Sequence, residues 1–390
     1  MSGSQVISLG CRLNIAESES IAALLGHEDV VVINSCAVTA EAVRQTRQAI
    51  RRARRDRPDA RLLVTGCAAD IEREQLAAMP EVDGLVANAS KLDPRAWNVP
   101  ARPAPVPRTR TRAFIAVQNG CDHACTFCVI PQGRGASRSL PITKVLAEVE
   151  RFLAAGAAEV VLTGVDVTSW GHDLPNAPPL GQLVRSILDA FPTLQRLRLS
   201  SLDGIEIDPL LFDLLAGEAR VMPHLHLSLQ HGADLILKRM KRRHLRHDAV
   251  NLVRRLKAQR PDMAIGADLI AGFPTETAEH QAANRAIIAE LEIVHGHIFP
   301  YSPRPGTPAA LMPQHDKALI RARAADLREQ VAATHAAWLN TLVGSELQVL
   351  TERDGTGYSP HFARVALAPG TPAGTVVSVT PQSVTQGLLQ

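Results

Sequence analysis

Six cysteines are the residues of this 390-residue chain best suited to chemistry. Cys121, Cys125 and Cys128 stand in the word Asn-Gly-Cys-Asp-His-Ala-Cys-Thr-Phe-Cys-Val-Ile-Pro, separated by three and then two residues. Thiolates are soft ligands that favour iron–sulfur clusters or zinc, and a loop of this spacing can wrap one cubane cluster. A closed structural site needs four protein ligands, whereas this loop supplies three. One iron is then left open for a substrate, as one position is left open in catalytic zinc sites. The alternative is zinc with His123 as a fourth ligand, although so short a spacing makes it hard for His123 to share an ion with both neighbouring thiols. Cys11, Cys36 and Cys67 lie far apart along the chain, so only the fold can bring them together.

No apolar run approaches the roughly 20 residues of a membrane helix, and residues 1–10 lack the charged and apolar regions of a signal peptide. A cytoplasmic location without membrane partners is therefore expected. Thiols stay reduced there, which turns six cysteines from a disulfide framework into metal or redox ligands.

The elements that must position these residues read as alternating strands and helices. Strands are expected over 5–9, 30–34 and 62–65, with helices over 17–25, 41–55 and 71–79. Continuous apolar strands separated by helices imply a parallel sheet covered on both faces. Cys11, Cys36 and Cys67 each fall one or two residues beyond a strand, at the carboxyl edge where open α/β sheets bind ligands, so they converge in space. A proline- and arginine-rich segment, 99–112, reads as a linker. Six further β/α units follow over 113–342, with strands over 114–118, 159–163, 197–200, 224–228, 264–270 and 295–300. Eight would close a barrel; six suit a partial one. A long helix over 316–342 ends this region, and short β segments over 343–390 suit a small β-barrel. The fold class is thus α/β: an N-terminal parallel α/β domain over 1–98, a partial barrel, and a small terminal β domain.

Charge is nearly balanced, at +3, but arginines and lysines bunch over 44–57, 102–112 and 238–246. Such patches suit an anionic partner such as RNA, and they suit solvated helix faces equally well. Aromatic residues make up only 3%, which argues against a broad base-stacking platform.

The cysteine spacing after the first strand of a partial barrel resembles the radical S-adenosylmethionine superfamily. That resemblance implies a [4Fe–4S] cluster on Cys121, Cys125 and Cys128. Its open iron would bind S-adenosylmethionine and cleave the C5′–S bond to give a 5′-deoxyadenosyl radical. Phe127 would flank the adenine, Ser228 and Gln230 would face the ribose and carboxylate, and Gly272 would open the adenine-side glycine motif. Thr163-Gly164-Val165-Asp166 stands where the superfamily places a loop near the methionine amino group.

Three further cysteines on a preceding α/β domain, with a β module at the end, resemble the methylthiotransferases over nearly the whole chain. The resemblance implies a second [4Fe–4S] cluster on Cys11, Cys36 and Cys67, a sulfur donor, a reducing electron donor and a terminal RNA-binding module of the TRAM type. The words Ser-Leu-Gly-Cys11-Arg-Leu-Asn14, Asn34-Ser-Cys36-Ala-Val-Thr39, Leu199-Ser-Ser-Leu-Asp203 with Glu206-Ile-Asp208, and Leu237-Lys-Arg-Met-Lys-Arg242 look like one branch. That branch modifies C2 of N6-threonylcarbamoyladenosine 37 beside the tRNA anticodon. Adenine C2–H is unactivated, which explains a radical route, and a loop base can be splayed out cheaply. Methylthiolation of isopentenyladenosine or of a ribosomal-protein aspartate is the rival activity. A non-catalytic iron–sulfur RNA-binding protein is the rival of another class.

Overall fold

The structure is a computed structural model, and it describes residues 3–26, 28–100 and 111–390. All but four residues of the expected linker, and most of the basic run 102–112, lie outside these residues.

The first part contains β1 (Gln5–Ser8), α1 (Arg12–Leu25), β2 (Val30–Ser35), α2 (Ala40–Asp56), β3 (Arg61–Gly66), α3 (Cys67–Ile71), α4 (Arg73–Ala77) and β4 (Gly84–Leu85). The four strands pair in parallel in the order β1-β2-β3-β4. Strand geometry sends alternate side chains to opposite faces. Val31 and Ile33 accordingly pack with Val43 and Ile50 of α2, while Val30 and Val32 pack with Ile21 and Leu25 of α1. This is the doubly covered sheet expected from the sequence. Two details differ. α1 begins at Arg12 rather than 17, with Cys11 as its N-cap residue, and the helix expected over 71–79 is two short helices, the first opening at Cys67.

The second part begins with β5 (Arg112–Ala116), β6 (Gln118–Asn119), α5 (Ile130–Arg134) and β7 (Arg138–Ser139). There follow α6 (Ile142–Ala154), β8 (Glu159–Thr163), α7 (Leu180–Ala190), β9 (Leu197–Leu199), α8 (Pro209–Gly217) and β10 (His224–Gln230). α9 (Asp234–Arg239), α10 (Arg246–Gln259), β11 (Ala264–Ala271), α11 (Ala278–Glu290), β12 (Ile293–Pro300) and α12 (Lys317–Thr341) complete it. Parallel trios β5-β8-β9 and β10-β11-β12 are joined by single bridges, Leu197 to Val221 and Leu202 to Leu227. The result is the six-stranded partial barrel. Its flanks at β5 and β12 are lined by α1 and α12.

The last part holds β13 (Leu347–Thr351), β14 (Thr356–Tyr358), β15 (Arg364–Ala366), β16 (Val376–Val379), β17 (Val384–Thr385) and β18 (Leu388–Leu389) in one mixed sheet. It packs on the amino ends of the barrel strands: Arg112 Nε donates to Glu352 at 3.1 Å, Arg196 donates to the carbonyls of Gln348 and Ser359, and Phe362 stacks on His224. The carboxyl edge, with Cys121 to Cys128 beside it, is left free of this sheet. No helix among the described residues is long and apolar enough to cross a membrane.

Candidate functional site

Cys11, Cys36 and Cys67 converge because glycines let backbone approach backbone. Gly10 has φ +101, and a Cβ there would lie 2.9 Å from Cys36 Cβ and 3.0 Å from its Sγ. Gly66, at φ +89, would place a Cβ 2.4 Å from the Ser35 carbonyl oxygen. Only glycine tolerates both the positive φ and the contact. Ser35 Oγ then accepts from the amides of Ala68 and Ala69, fixing the start of α3 and with it Cys67.

A buried ionic network backs this cradle. Glu17 accepts from Lys91 Nζ at 2.6 Å and from both terminal nitrogens of Arg134, at 2.9 and 3.1 Å. Arg134 also reaches Asn119 Oδ1 and Asn14 Oδ1, and the side chains of Glu17, Lys91 and Arg134 are all at most 2% exposed. Burial pushes Glu17 up, but Lys91 and Arg134 outweigh it and hold the carboxyl below its ordinary value. Two buried cations thus face one carboxylate. The surplus charge lies beside the thiols: Arg134 is raised by Cys67, Glu17 and Cys11 against the opposing effect of burial. A buried unmatched cation is costly. Three thiolates carrying a cluster of net negative charge would match it, so this donor set fits an iron–sulfur cluster.

The second cysteine set lies just beyond β5. Gln118 Oε1 accepts from the amides of Val165 and Asp166 at 3.0 and 2.9 Å, which pins the loop after β8 against the cysteine loop. Asp166 accepts from Ser169 Oγ at 2.6 Å and pairs with His123 Nε2 at 2.7 Å. The hydrogen bonds to Asp166 and Glu206 raise His123 to about 10. Its Nε2 is engaged by Asp166, with Glu206 at 3.8 Å and Arg243 Nη2 at 2.9 Å around the same atom. His123 groups with Cys121 and Asp166, and neither Cys125 nor Cys128 belongs to that group, which disfavours a zinc site of three cysteines and His123. Arg242 supplies a cation, with Nη1 3.6 Å from Cys125 Sγ and Nη2 donating to Asp203 and to the Ser228 carbonyl. Burial first, and then the neighbouring thiols and, for Cys121, Asp166, push Cys36 and Cys128 to about 11 and Cys121 to about 12. Such thiols become thiolates when a metal takes the place of the proton.

The two sets face each other. α5 begins two residues after Cys128, and α3 opens at Cys67. α3 packs on α5, where a Cβ on Gly133 would lie 3.3 Å from Cys67 Cβ. Arg304 Nη2 donates to Glu72 at 3.0 Å, and the Ala40 amide donates to Ser302 Oγ at 3.1 Å, closing the same boundary elsewhere.

The four residues expected at S-adenosylmethionine gather near this edge. Phe127 is half-buried against the cluster of Ile270, Phe273 and Tyr301. Ser228 and Gln230 end β10, with a register shift before Gln230, which has φ +69. Gly272 has φ +72, and a Cβ there would meet Ile320 at 2.8 Å, so close approach of α12 already requires glycine. The expected basic run 238–246 divides. Arg239 and Arg242 turn inward to Thr275 and Asp203, whereas Lys238 and Lys241 stay exposed. On α2, Arg44, Arg47, Arg51, Arg52 and Arg54 pair with carboxylates, as solvated helix faces do. Glu17, Lys91 and Arg134 escape a sequence reading, because lone charged residues on three separate elements carry no spacing signal.

Comparison with known proteins bears on the same residues. Residues 115–286 match the Radical SAM superfamily, and residues 4–87 match the Uncharacterized protein family UPF0004. The chain is 42% identical to the threonylcarbamoyladenosine tRNA methylthiotransferase MtaB of Rickettsia prowazekii, covering 93% of this chain and 91% of the relative. It is 34% identical to the protein of the same name from Aquifex aeolicus, covering 88% and 91%. It is 32% identical to tRNA-2-methylthio-N(6)-dimethylallyladenosine synthase of Paracoccus denitrificans, covering 95% and 92%. Among solved structures, the radical S-adenosylmethionine methyltransferase TsrM from Kitasatospora setae shares the fold with a TM-score of 0.54 at 18% identity, over 73% of this chain and 66% of that one. The cobalamin-dependent enzyme OxsB does so with 0.53 at 11% identity, over 85% and 56%. The chain thus spans less than two thirds of either solved chain. Coverage of the tRNA-modifying relatives is nearly end to end, and on that ground the chain belongs to the radical S-adenosylmethionine tRNA methylthiotransferases.

Proposed function

We propose that this protein inserts a methylthio group at C2 of N6-threonylcarbamoyladenosine 37 in cytoplasmic tRNA. The observation that carries the reading is the convergence of two three-cysteine sets across one domain boundary, where α3, opening at Cys67, packs on α5, which begins two residues after Cys128. The 42% identity to a relative named for that substrate, against 32% for one named for the dimethylallyl form, favours the threonylcarbamoyl branch.

When bound, the two [4Fe–4S] clusters and S-adenosylmethionine supply a carbon-centred radical and the sulfur to be inserted. Everything else falls to the chain. Cys121, Cys125 and Cys128 would hold one cluster, and Cys11, Cys36 and Cys67 the other. Phe127, Ser228, Gln230 and Gly272 would surround S-adenosylmethionine. Arg242 places a positive charge at Cys125, and the Glu17–Lys91–Arg134 network places one behind Cys67 and Cys11. A reductant and a sulfur donor are the further partners, and Lys238 and Lys241 are candidates for phosphate contacts.

Mass spectrometry of tRNA nucleosides from cells lacking the gene tests the reading. Loss of the methylthio form of threonylcarbamoyladenosine is expected. Loss of the isopentenyl form instead, or unchanged tRNA with an unmodified ribosomal protein, would reassign the substrate.

A further inference from the structure

Neither cysteine set uses Arg12, although it follows Cys11 directly. Its guanidinium lies 5.3 Å from the ring centre of Phe362 and lines a cavity of about 370 Å³. All three parts of the chain meet there: Arg12 from the first, His224, His226 and His297 from the barrel, and Phe362 from the terminal sheet. Arg12 makes no hydrogen bond or ion pair among the described residues. A guanidinium cannot shed its charge, and leaving one partly buried and unmatched is costly.

The neighbouring acids are already engaged. Glu159 accepts from Arg196 Nε at 2.8 Å and from Arg198 Nε at 3.0 Å. Asp268 Oδ1 lies 3.1 Å from His226 Nε2 and 3.0 Å from His297 Nδ1. Gly266 permits that arrangement, since a Cβ there would lie 2.3 Å from His226 Nδ1. A second polar group is also unpaired: His224 is 4% exposed, and both its ring nitrogens lack a partner. The cavity therefore presents Arg12 without a partner, Arg328 at its exposed side donating to the Ile298 carbonyl, and one buried ring, His224, with both nitrogens free. His226 and His224 lie two and four residues before Ser228 on β10, about 7 and 13 Å below the carboxyl edge by strand rise.

We propose that this cavity receives the carboxylate-bearing side chain of the substrate base, and that Arg12 is the residue that reads the carboxylate. The inference rests on the threonylcarbamoyladenosine reading and deepens it. A threonylcarbamoyl group ends in a carboxylate and a hydroxyl, which pair with a guanidinium fork and a histidine ring. An isopentenyl group ends in hydrocarbon and would leave both groups unpaired. Discrimination by unpaired polar groups is the strong kind. An RNA backbone phosphate offers the same charge, and the experiment separates the two.

Anticodon stem-loops carrying threonylcarbamoyladenosine, its carboxyl methyl ester or plain adenosine would be titrated against the reconstituted protein by fluorescence anisotropy. The wild type is expected to bind the acid at least about tenfold more tightly than the ester, the scale of one charge-assisted hydrogen-bond pair. Arg12→Gln should erase that preference, and Arg12→Lys should keep part of it, with iron content confirming that Cys11 still functions in both. Equal binding of acid and ester by the wild type overturns the proposal without any variant. So does an Arg12→Gln protein that keeps the full preference, or one that weakens all three stem-loops equally with a smaller salt slope, which would make Arg12 a phosphate contact. Methylthiolation of the acid stem-loop by a wild type that shows no acid-over-ester preference would sink this inference and leave the substrate reading standing. Methylthiolation of an isopentenyladenosine stem-loop alone would sink the substrate reading itself.

Discussion

Glu17 is the single carboxylate between two buried cations, Lys91 and Arg134, and it joins the first domain to the barrel. Removing one member of a buried ionic set costs more than the set contributes, because the remaining charges stay desolvated. Glu17→Gln is nearly isosteric and should destabilise the domain boundary by about 3–5 kcal/mol, read as a lower denaturant midpoint of the apoprotein. A midpoint within error of wild type would show that the thiols, not Glu17, neutralise those cations. Lys238 and Lys241 make the opposite case, being exposed charges at the barrel edge. Replacing both with Gln should weaken binding of any tRNA and lower the slope of log affinity against log salt by about two, one per phosphate contact. An unchanged slope would remove them from the interface. Sequence spacing could point to a basic run here, but it could not tell which members are free. Arg239 and Arg242 are turned inward by Thr275 and Asp203, residues remote in the chain.

At the scale of elements, the cysteines of the first domain depend on how tightly β3 lies against β2. Gly66→Ala would force a Cβ to within 2.4 Å of the Ser35 carbonyl at φ +89. The strand must shift, and Cys67 with it. Loss of at least about 1–3 kcal/mol of stability is expected, together with weaker iron retention by the amino-terminal set. Retained iron and an unchanged midpoint would contradict this placement of Cys67. The strands of both α/β regions were legible because their apolar runs are continuous and β-branched, and α2 at Ala40–Asp56 lies within one residue of the expected 41–55 at each end. Helix starts were less legible. α1 opens five residues early because Cys11 caps it without a side-chain bond, so no Ser, Thr, Asp or Asn marks the start. The helix expected over 71–79 breaks at Glu72, which accepts from Arg47 and Arg304, a tertiary cause absent from local sequence. Sequence placed all six cysteines at loop edges, but it could not place Arg12 in the barrel, since that depends on how two domains dock.

The whole molecule is a first domain and a barrel sharing one face, with a terminal sheet packed on the opposite end of the barrel. Each cysteine set is complete within its own domain, so each should bind iron without the other. Replacing Cys121, Cys125 and Cys128 with Ala should leave about half of the iron and sulfide after anaerobic reconstitution, following the stoichiometry of two cubane clusters. Complete loss would deny the amino-terminal set a cluster. The shared face carries the central claim, a division of labour in which the barrel set serves radical formation and the amino-terminal set serves sulfur delivery. The most direct test replaces Cys11, Cys36 and Cys67 together and measures two products in one anaerobic reaction with reductant, S-adenosylmethionine and tRNA. The account predicts continued formation of 5′-deoxyadenosine, at a rate lowered at most modestly by altered packing at α3 and α5, with no methylthio nucleoside. A folded variant that retains the barrel iron and yet forms no 5′-deoxyadenosine would contradict it.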